Sequence, residues 1–442
     1  MRRLALPLTL TMAVALTATA ATTAHAAPAD RDHHPRDITR QVLADGDGWG
    51  SAGDGTTGGS AAAGEDVVHV ATLEELRAAV GPRDDDRPRI VVVEGLIDGN
   101  TAPDGSAISC ADYAVDGYTQ EDYLATYHPD VWGWDDPEGP LEEARAASQD
   151  VQAEQIRVDV GSNTTLVGAD DDSELTGINL RVNDAENVIL RNLTFSDAYD
   201  CFPGWDPKDG NTGNWNSEYD NIEISGSTNV WVDHNTFDDG ENPGSELPEY
   251  FGSKYEMHDA LLDIVRESDL VTVSYNHFVE RDKAMIVGNS DGRTTDRGHL
   301  RITYHHNHFD GLGQRAPRVR FGQVHVYNNH YTLAGDLYQY ALGAGKESQL
   351  VAENNVFDLH DGIGAGEIVY NWGGTDLVAR GNAVMYEGRG RMSTVDLVAE
   401  HNELYPDRAL GTEQTWTPEY VQRVQPVWAV RGLPRRVGAG LL

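Results

Sequence analysis

The side chains able to do chemistry gather in two kinds of string. Acids recur between Asp206 and Asp263: Asp206 and Asp209 in GWDPKDG, Asp220 in WNSEYDN, Asp233 in WVDHNTF, and Asp259 with Asp263 in MHDALLD. Three or four of these carboxylates brought together would form an oxygen-rich site suited to a hard cation such as calcium, which takes about six to eight oxygen ligands. Spacing alone does not single out that ion, because no D-x-D-x-D-G loop occurs. In so acidic a chain an isolated aspartate serves equally well to solvate a loop. The second string is QRAPRVRFGQVHVYNNHY, Gln314 to Tyr331, which sets Arg315, Arg318 and Arg320 within six residues. A planar guanidinium donates two parallel hydrogen bonds to a carboxylate, so such a strip suits an anionic ligand; a surface salt-bridge cluster is the plainer alternative.

A repeat surrounds these groups. It reads NVWVDHNTF, VTVSYNHF, ITYHHNHF, VHVYNNHY and LVAENNVF, with weaker copies at LVARGNAV and LVAEHNEL. Its asparagines are Asn235, Asn276, Asn307, Asn329, Asn355, Asn382 and Asn402, separated by 41, 31, 22, 26, 27 and 20 residues. A base period in the twenties with longer early gaps describes a solenoid carrying loops on some coils. Alternation with period two, rich in Val, Ile, Tyr and Phe, makes the units strands. With no useful helical stretch between them, the strands must stack coil on coil as an all-β parallel β-helix. The recurring Asn would sit at a turn, its amide bonding to the coils above and below. Alternation turns Arg318 and Arg320 to one side, with Arg315 at the preceding turn.

The flanks divide the chain. Arg2 and Arg3, an apolar run from Leu4 to Leu16 and Ala24-His25-Ala26 read as a signal peptide over residues 1–26. Residues 27–64, Asp/Gly/Ser-rich from Asp45 to Gly64, are expected to be a flexible N-terminal region, and 65–442 the β-helix. The capping box at Thr72 to Glu75 opens a helix to Val80, a candidate N-terminal cap before the buried strand beginning at Arg89. A net charge of −39 argues against nucleic acid as a partner. No later run of about 18 apolar residues exists to span a membrane, so a secreted, extracellular protein is expected. Nothing points to an oligomer, and a monomer is expected. Cys110 and Cys201 permit one disulfide in an exported chain, although sequence does not show that the sulfurs meet.

In order along the chain, DAYDCFPGWDPKDG, NWNSEYDN, VWVDHNTF, YNHF, HHNHF and RAPRVRFGQVHVYNNHY resemble the pectate lyases of the polysaccharide lyase family that includes bacterial extracellular enzymes. The resemblance runs from about Thr72 to Phe357. It implies a right-handed parallel β-helix whose long loops form a substrate groove. It also implies calcium-assisted β-elimination of polygalacturonate to 4,5-unsaturated oligogalacturonides. Carried over residue by residue, Asp220, Asp259 and Asp263 match the primary calcium aspartates, and Asp209 an acid that assists further calcium. Lys283 matches a lysine on the substrate carboxylate, Arg315 the arginine that takes the C5 proton, and Arg320 a second substrate-binding arginine. Asp233 and His234 match a structural segment.

Rival functions fit less well. A pectin lyase would not need the three aspartates together. A hydrolase would need carboxylates paired around the bond, and its NTD and RIK strings are absent. A β-helical sugar-binding protein gives no reason for Lys283, Arg315 and Arg320 to accompany the acids.

Overall fold

The computed structural model describes residues 37–82 and 85–442. The signal peptide expected over 1–26, and the start of the 27–64 region, lie outside the described residues. Residues 38–442 form one compact unit.

One coil shows how the sequence winds. Ile222–Ser225 lies in an eight-stranded sheet, Thr228–Asp233 in a ten-stranded sheet and Thr236–Asp238 in another of ten strands. The chain then loops out and returns one level along, with Leu262–Val265, Asp269–Ser274 and His277–Val279 pairing in parallel on the strands below. We call these the second, first and third sheets respectively. Their continuous parallel stacking makes the protein a parallel β-helix. Inward positions from all three sheets, such as Ile224, Val232 and Phe237, then Ile264, Val273 and Phe278, merge into one core. Phe195, Phe237, Phe278, Phe309, Tyr331 and Phe357 stack as a file through it, with successive centroids 4.6 to 5.3 Å apart.

The repeating asparagine sits where the first sheet turns into the third. Residues just before it, including His234, Tyr275 and His306, adopt the left-handed conformation that makes the corner. The amide of each Asn donates to the Oδ1 of the next, from Asn235 through Asn276, Asn307, Asn329 and Asn355 to Asn382, at 3.0 to 3.1 Å. Each Oδ1 also accepts the backbone N–H of the coil below, so a buried turn meets the pairing its polar groups require.

Two expectations are corrected. LVAEHNEL is not a coil but a helix, Leu397–Leu404, capped by Asp396. Leu397, Val398 and His401 give it a helical buried face, and Leu397 and Val398 join the core. Asn402 stands outside the ladder and bonds the backbone of Leu410 instead.

Nor is the described part of 27–64 a flexible tether. It lies along the outer face of the first sheet, where threonine hydroxyls on three of the coils accept its backbone N–H groups. Trp49 bonds Thr303, Gly50 bonds Thr272 and Gly59 bonds Thr165, at 2.9 to 3.0 Å. Glycine is required for that approach: a Cβ at Gly59 would stand 1.8 Å from the Arg89 carbonyl oxygen. The C-terminal segment comes to meet it, with Gly48 N–H on the Tyr420 carbonyl and Trp49 against Trp416 and Tyr420.

The chain between Asp98 and Arg157 departs from the solenoid and carries the 17-residue helix Pro140–Ile156, which the repeat did not foretell. Its Pro at the first turn followed by Glu142 and Glu143 is a local start signal. Cys110, on a short helix of the same excursion, is disulfide-bonded to Cys201, beside an aromatic cluster of Tyr118, Tyr123, Phe202, Trp205 and Trp215. Among the described residues no helix is long and apolar enough to cross a membrane.

Candidate active site

The three aspartates Asp220, Asp259 and Asp263 collect at one end of the second sheet because successive coils place them there. Asp220 leads into Ile222–Ser225, Asp259 precedes Leu262–Val265, and Asp263 lies within that strand, level with Glu223. Asp220 and Asp263 each commit one oxygen to the next coil: Asp220 Oδ1 accepts from Ala260 N and Asp263 Oδ1 from Ile286 N, both at 2.8 Å. The second sheet therefore fixes the carboxylates through its own backbone.

Their electrostatics are those of a crowded anionic site. Burial pushes the Asp220 and Asp263 carboxyls well above the usual range, and the neighbouring aspartates push further in the same direction. Asp259 is also raised by burial, against the opposing fields of Lys283, Arg315 and Arg281. Three hard oxygen donors repelling one another are the donor set a calcium ion satisfies, so the residues present fit that group.

The cations come from the next two coils. Lys283 pairs through its backbone with Gln314, immediately before Arg315. Arg315 occupies a left-handed corner at φ 62° and leads into Arg318–Val319, whose Val319 points into the core. Arg318 stands over the Trp372 ring at 4.3 Å. Burial, then the fields of Arg320 and Arg315, push its guanidinium down to about 10. Arg320 is held by Asp291 at 2.6 Å and by the Gly288 carbonyl at 2.8 Å.

Other acids from the same stretch have partners of their own. Asp209 is fixed by Asn214 in the hairpin of Gly204–Asp206 and Asn214–Asn216. Asp233 and His234 belong to the first sheet: Asp233 is buried on Arg191 and Ser274, and His234 bonds Asp233 and stacks on Tyr275. That is a structural network rather than an acid–base pair facing a groove. A cavity of about 590 Å³ involving Arg297, Phe321 and Trp416 also lies away from the aspartates.

Sequence reasoning missed Arg281. Only 2% exposed, it is clamped to Asp239 and donates from Nη1 to the Asp259 carbonyl at 3.0 Å, so it props the loop that presents Asp259. The available signal was its place two residues before Lys283 in ERDK.

Comparison with known proteins places the chain among relatives. The pectate lyase family model matches residues 138–390, more than half of the chain. A pectate lyase of Bacillus subtilis is 44% identical over 349 residues, covering 78% of this chain and 83% of that protein. Pectate lyase E of Dickeya chrysanthemi is 35% identical over 328 residues, 73% of this chain and 69% of its own length. Among solved structures, the thermostable pectate lyase PL 47 superposes with a TM-score of 0.89 at 40% identity, over 92% of this chain and all of that one. A pectate lyase bound to a hexasaccharide gives 0.85 at 39%, over 91% of this chain and 99% of that one. On the fold, the family model and these relatives together, the chain belongs to the pectate lyase family and is an enzyme of that kind.

Proposed function

We propose that the protein is a secreted, monomeric enzyme that cleaves polygalacturonate by β-elimination, with calcium held by Asp220, Asp259 and Asp263 and with Asp209 assisting a further ion when substrate is bound. The observation that carries this reading is the stacking of the three aspartates, one buried and two half-buried, with Lys283 and Arg315 on consecutive coils. Calcium bound there would supply Lewis acidity at the uronate carboxylate, making the adjacent C5 proton easier to remove. Lys283 and Arg320 bind the same anionic ligand. Arg315 takes the C5 proton, the electron pair forms the C4–C5 double bond, and the glycosidic oxygen leaves C4 and is protonated from solvent. Free arginine keeps its proton to above about pH 12, so a base of this type favours alkaline solution. The acidic surface repels polygalacturonate, which makes the metal and the arginine strip necessary for binding as well as for chemistry. Loops that leave the coils before the second sheet form the walls of the groove, and the helix Leu73–Val80, whose Leu76 and Val80 enter the core, covers the N-terminal end.

The test is the appearance of an ultraviolet-absorbing unsaturated product from polygalacturonate, with and without chelator, in wild type and Arg315→Lys. Lysine keeps the charge but neither the shape nor the basicity of guanidinium. Turnover should be abolished with polymer binding largely intact, and near-normal kcat in the variant at alkaline pH would remove Arg315 from the role of base.

A further inference from the structure

On the outer face of the third sheet, remote in role from the aspartates, three potential metal ligands converge. His277 and His308 are register partners on adjacent coils, and Asp310 follows His308 by two residues. Phe278 and Phe309 between them point into the core, which turns His277, His308 and Asp310 outward together. The two imidazoles are stacked, with centroids 4.8 Å apart and planes 6° from parallel. Asp310 Oδ2 lies 3.4 Å from His277 Nε2 and Asp310 Oδ1 lies 3.9 Å from His308 Nε2. One ligand atom from each of the three residues falls within 4.8 Å of the others.

We propose that His277, His308 and Asp310 form a second metal site, for a borderline divalent transition ion such as zinc or cobalt, which bridges two successive coils. Zinc bonds to nitrogen and oxygen run to about 2.0–2.2 Å, and adjacent ligand atoms of a tetrahedron are then about 3.4 Å apart. One of the separations already has that value. Thr332 Oγ1, 2.8 Å from His308 Nε2, offers a further oxygen on the next coil. The flank stays open: the side chains of His277 and Asp310 are 27% and 37% exposed, which admits an ion with its remaining water. Two imidazoles and one carboxylate select zinc, cobalt or nickel over calcium, so the site differs in ligand class from the all-oxygen aspartates.

The experiment uses the mature full chain in excess calcium, which keeps the oxygen sites filled, and titrates it with cobalt(II) while visible d–d absorption is followed. Wild type should develop the bands of a low-coordinate nitrogen and oxygen site at one cobalt per chain, reversed by zinc. His277→Gln should lower the affinity at least tenfold, and Asp310→Asn should do the same, which keeps the test open should either variant fold poorly. His33 and His34 are present unchanged in all three proteins, so the difference between proteins carries the result. Cobalt should also raise the melting temperature of wild type and leave that of His277→Gln unchanged, while lyase activity in calcium is the same for both. Absence of the bands up to about millimolar cobalt, or equal affinity in wild type and both variants, overturns the proposal.

Discussion

Replacing Asn307 with Ala tests whether the asparagine ladder holds the coils together. Its Oδ1 accepts from Asn276 N at 2.9 Å and from Asn276 Nδ2 at 3.0 Å, and its Nδ2 donates to Val273 O at 2.9 Å and to Asn329 Oδ1 at 3.0 Å. All four bonds are buried. At about 1 kcal/mol net each they sum to about 4 kcal/mol, and the orphaned N–H of Asn276 adds about 1–3 kcal/mol of desolvation. The expected loss of about 5–7 kcal/mol is a large share of the total stability of an ordinary domain. Asn382 closes the ladder with three such bonds, to Asn355 twice and to Ala352 O. Asn382→Ala orphans the N–H of Asn355 in the same way but removes one bond fewer, so it should cost about 1 kcal/mol less. Urea unfolding followed by circular dichroism, with calcium saturating, measures both. A cost below about 2 kcal/mol for Asn307→Ala, or an equal cost at the two positions, would show that the ladder merely accompanies the stacking.

Three further expectations concern charge, metal and covalent closure. Asp263→Asn should reduce activity at least tenfold at limiting calcium and recover part of it at high calcium; full activity in chelator would dissociate that aspartate from the metal. Burial holds the Glu256 carboxyl up at about 7, above its ordinary 4.5. The folded chain then binds more protons than the unfolded one between those values, so this group lowers stability as pH rises through that window. Glu256→Gln should match wild type near pH 4.5 and resist urea better at pH 7.5, and parallel pH profiles would refute the assignment. The Cys110–Cys201 bridge joins residues 91 apart, so replacing both with Ser should cost about 4–5 kcal/mol in the loop-entropy account. An unchanged urea midpoint would argue that the excursion is held by its aromatic cluster alone.

The parts of the molecule legible in the sequence are those in which each residue answers to its own coil. Asn235 to Asn382 recur because one corner recurs, and period-two alternation names the inward residues, so the β-helix could be read strand by strand. Asp220, Asp259, Asp263 and Arg315 stood out in the sequence as candidates, but their meeting depends on how far each loop travels before rejoining the second sheet. LVAEHNEL misled because its apolar spacing suits a strand and a helical turn alike, and its Asn stood where the repeat required one. The N-terminal region misled for a different reason. Glycine-rich composition resembles a linker, yet here Gly50 and Gly59 each bring a backbone N–H onto a threonine of the sheet beneath, a contact between residues more than a hundred apart in sequence. Arg281 was passed over because its partners, Asp239 and the Asp259 carbonyl, lie on other coils.

The meeting of the two terminal segments across the first sheet changes what kind of object this solenoid is. A stack whose coils touch only their neighbours behaves as a one-dimensional array, and such arrays fray from the ends. Here the segment around Trp49 is bonded to hydroxyls on Thr272 and Thr303, while the segment around Trp416 and Tyr420 is bonded to Gln349 and to the Trp49 region itself. Neither end can peel back without stripping a strap that also crosses the middle coils. The contacts thus close into a ring even though the chain does not, which couples the first coil to the last and makes their loss a single event. A protease cut between Leu410 and Trp416 would accordingly be felt by residues near Gly48, at the opposite end of the sequence.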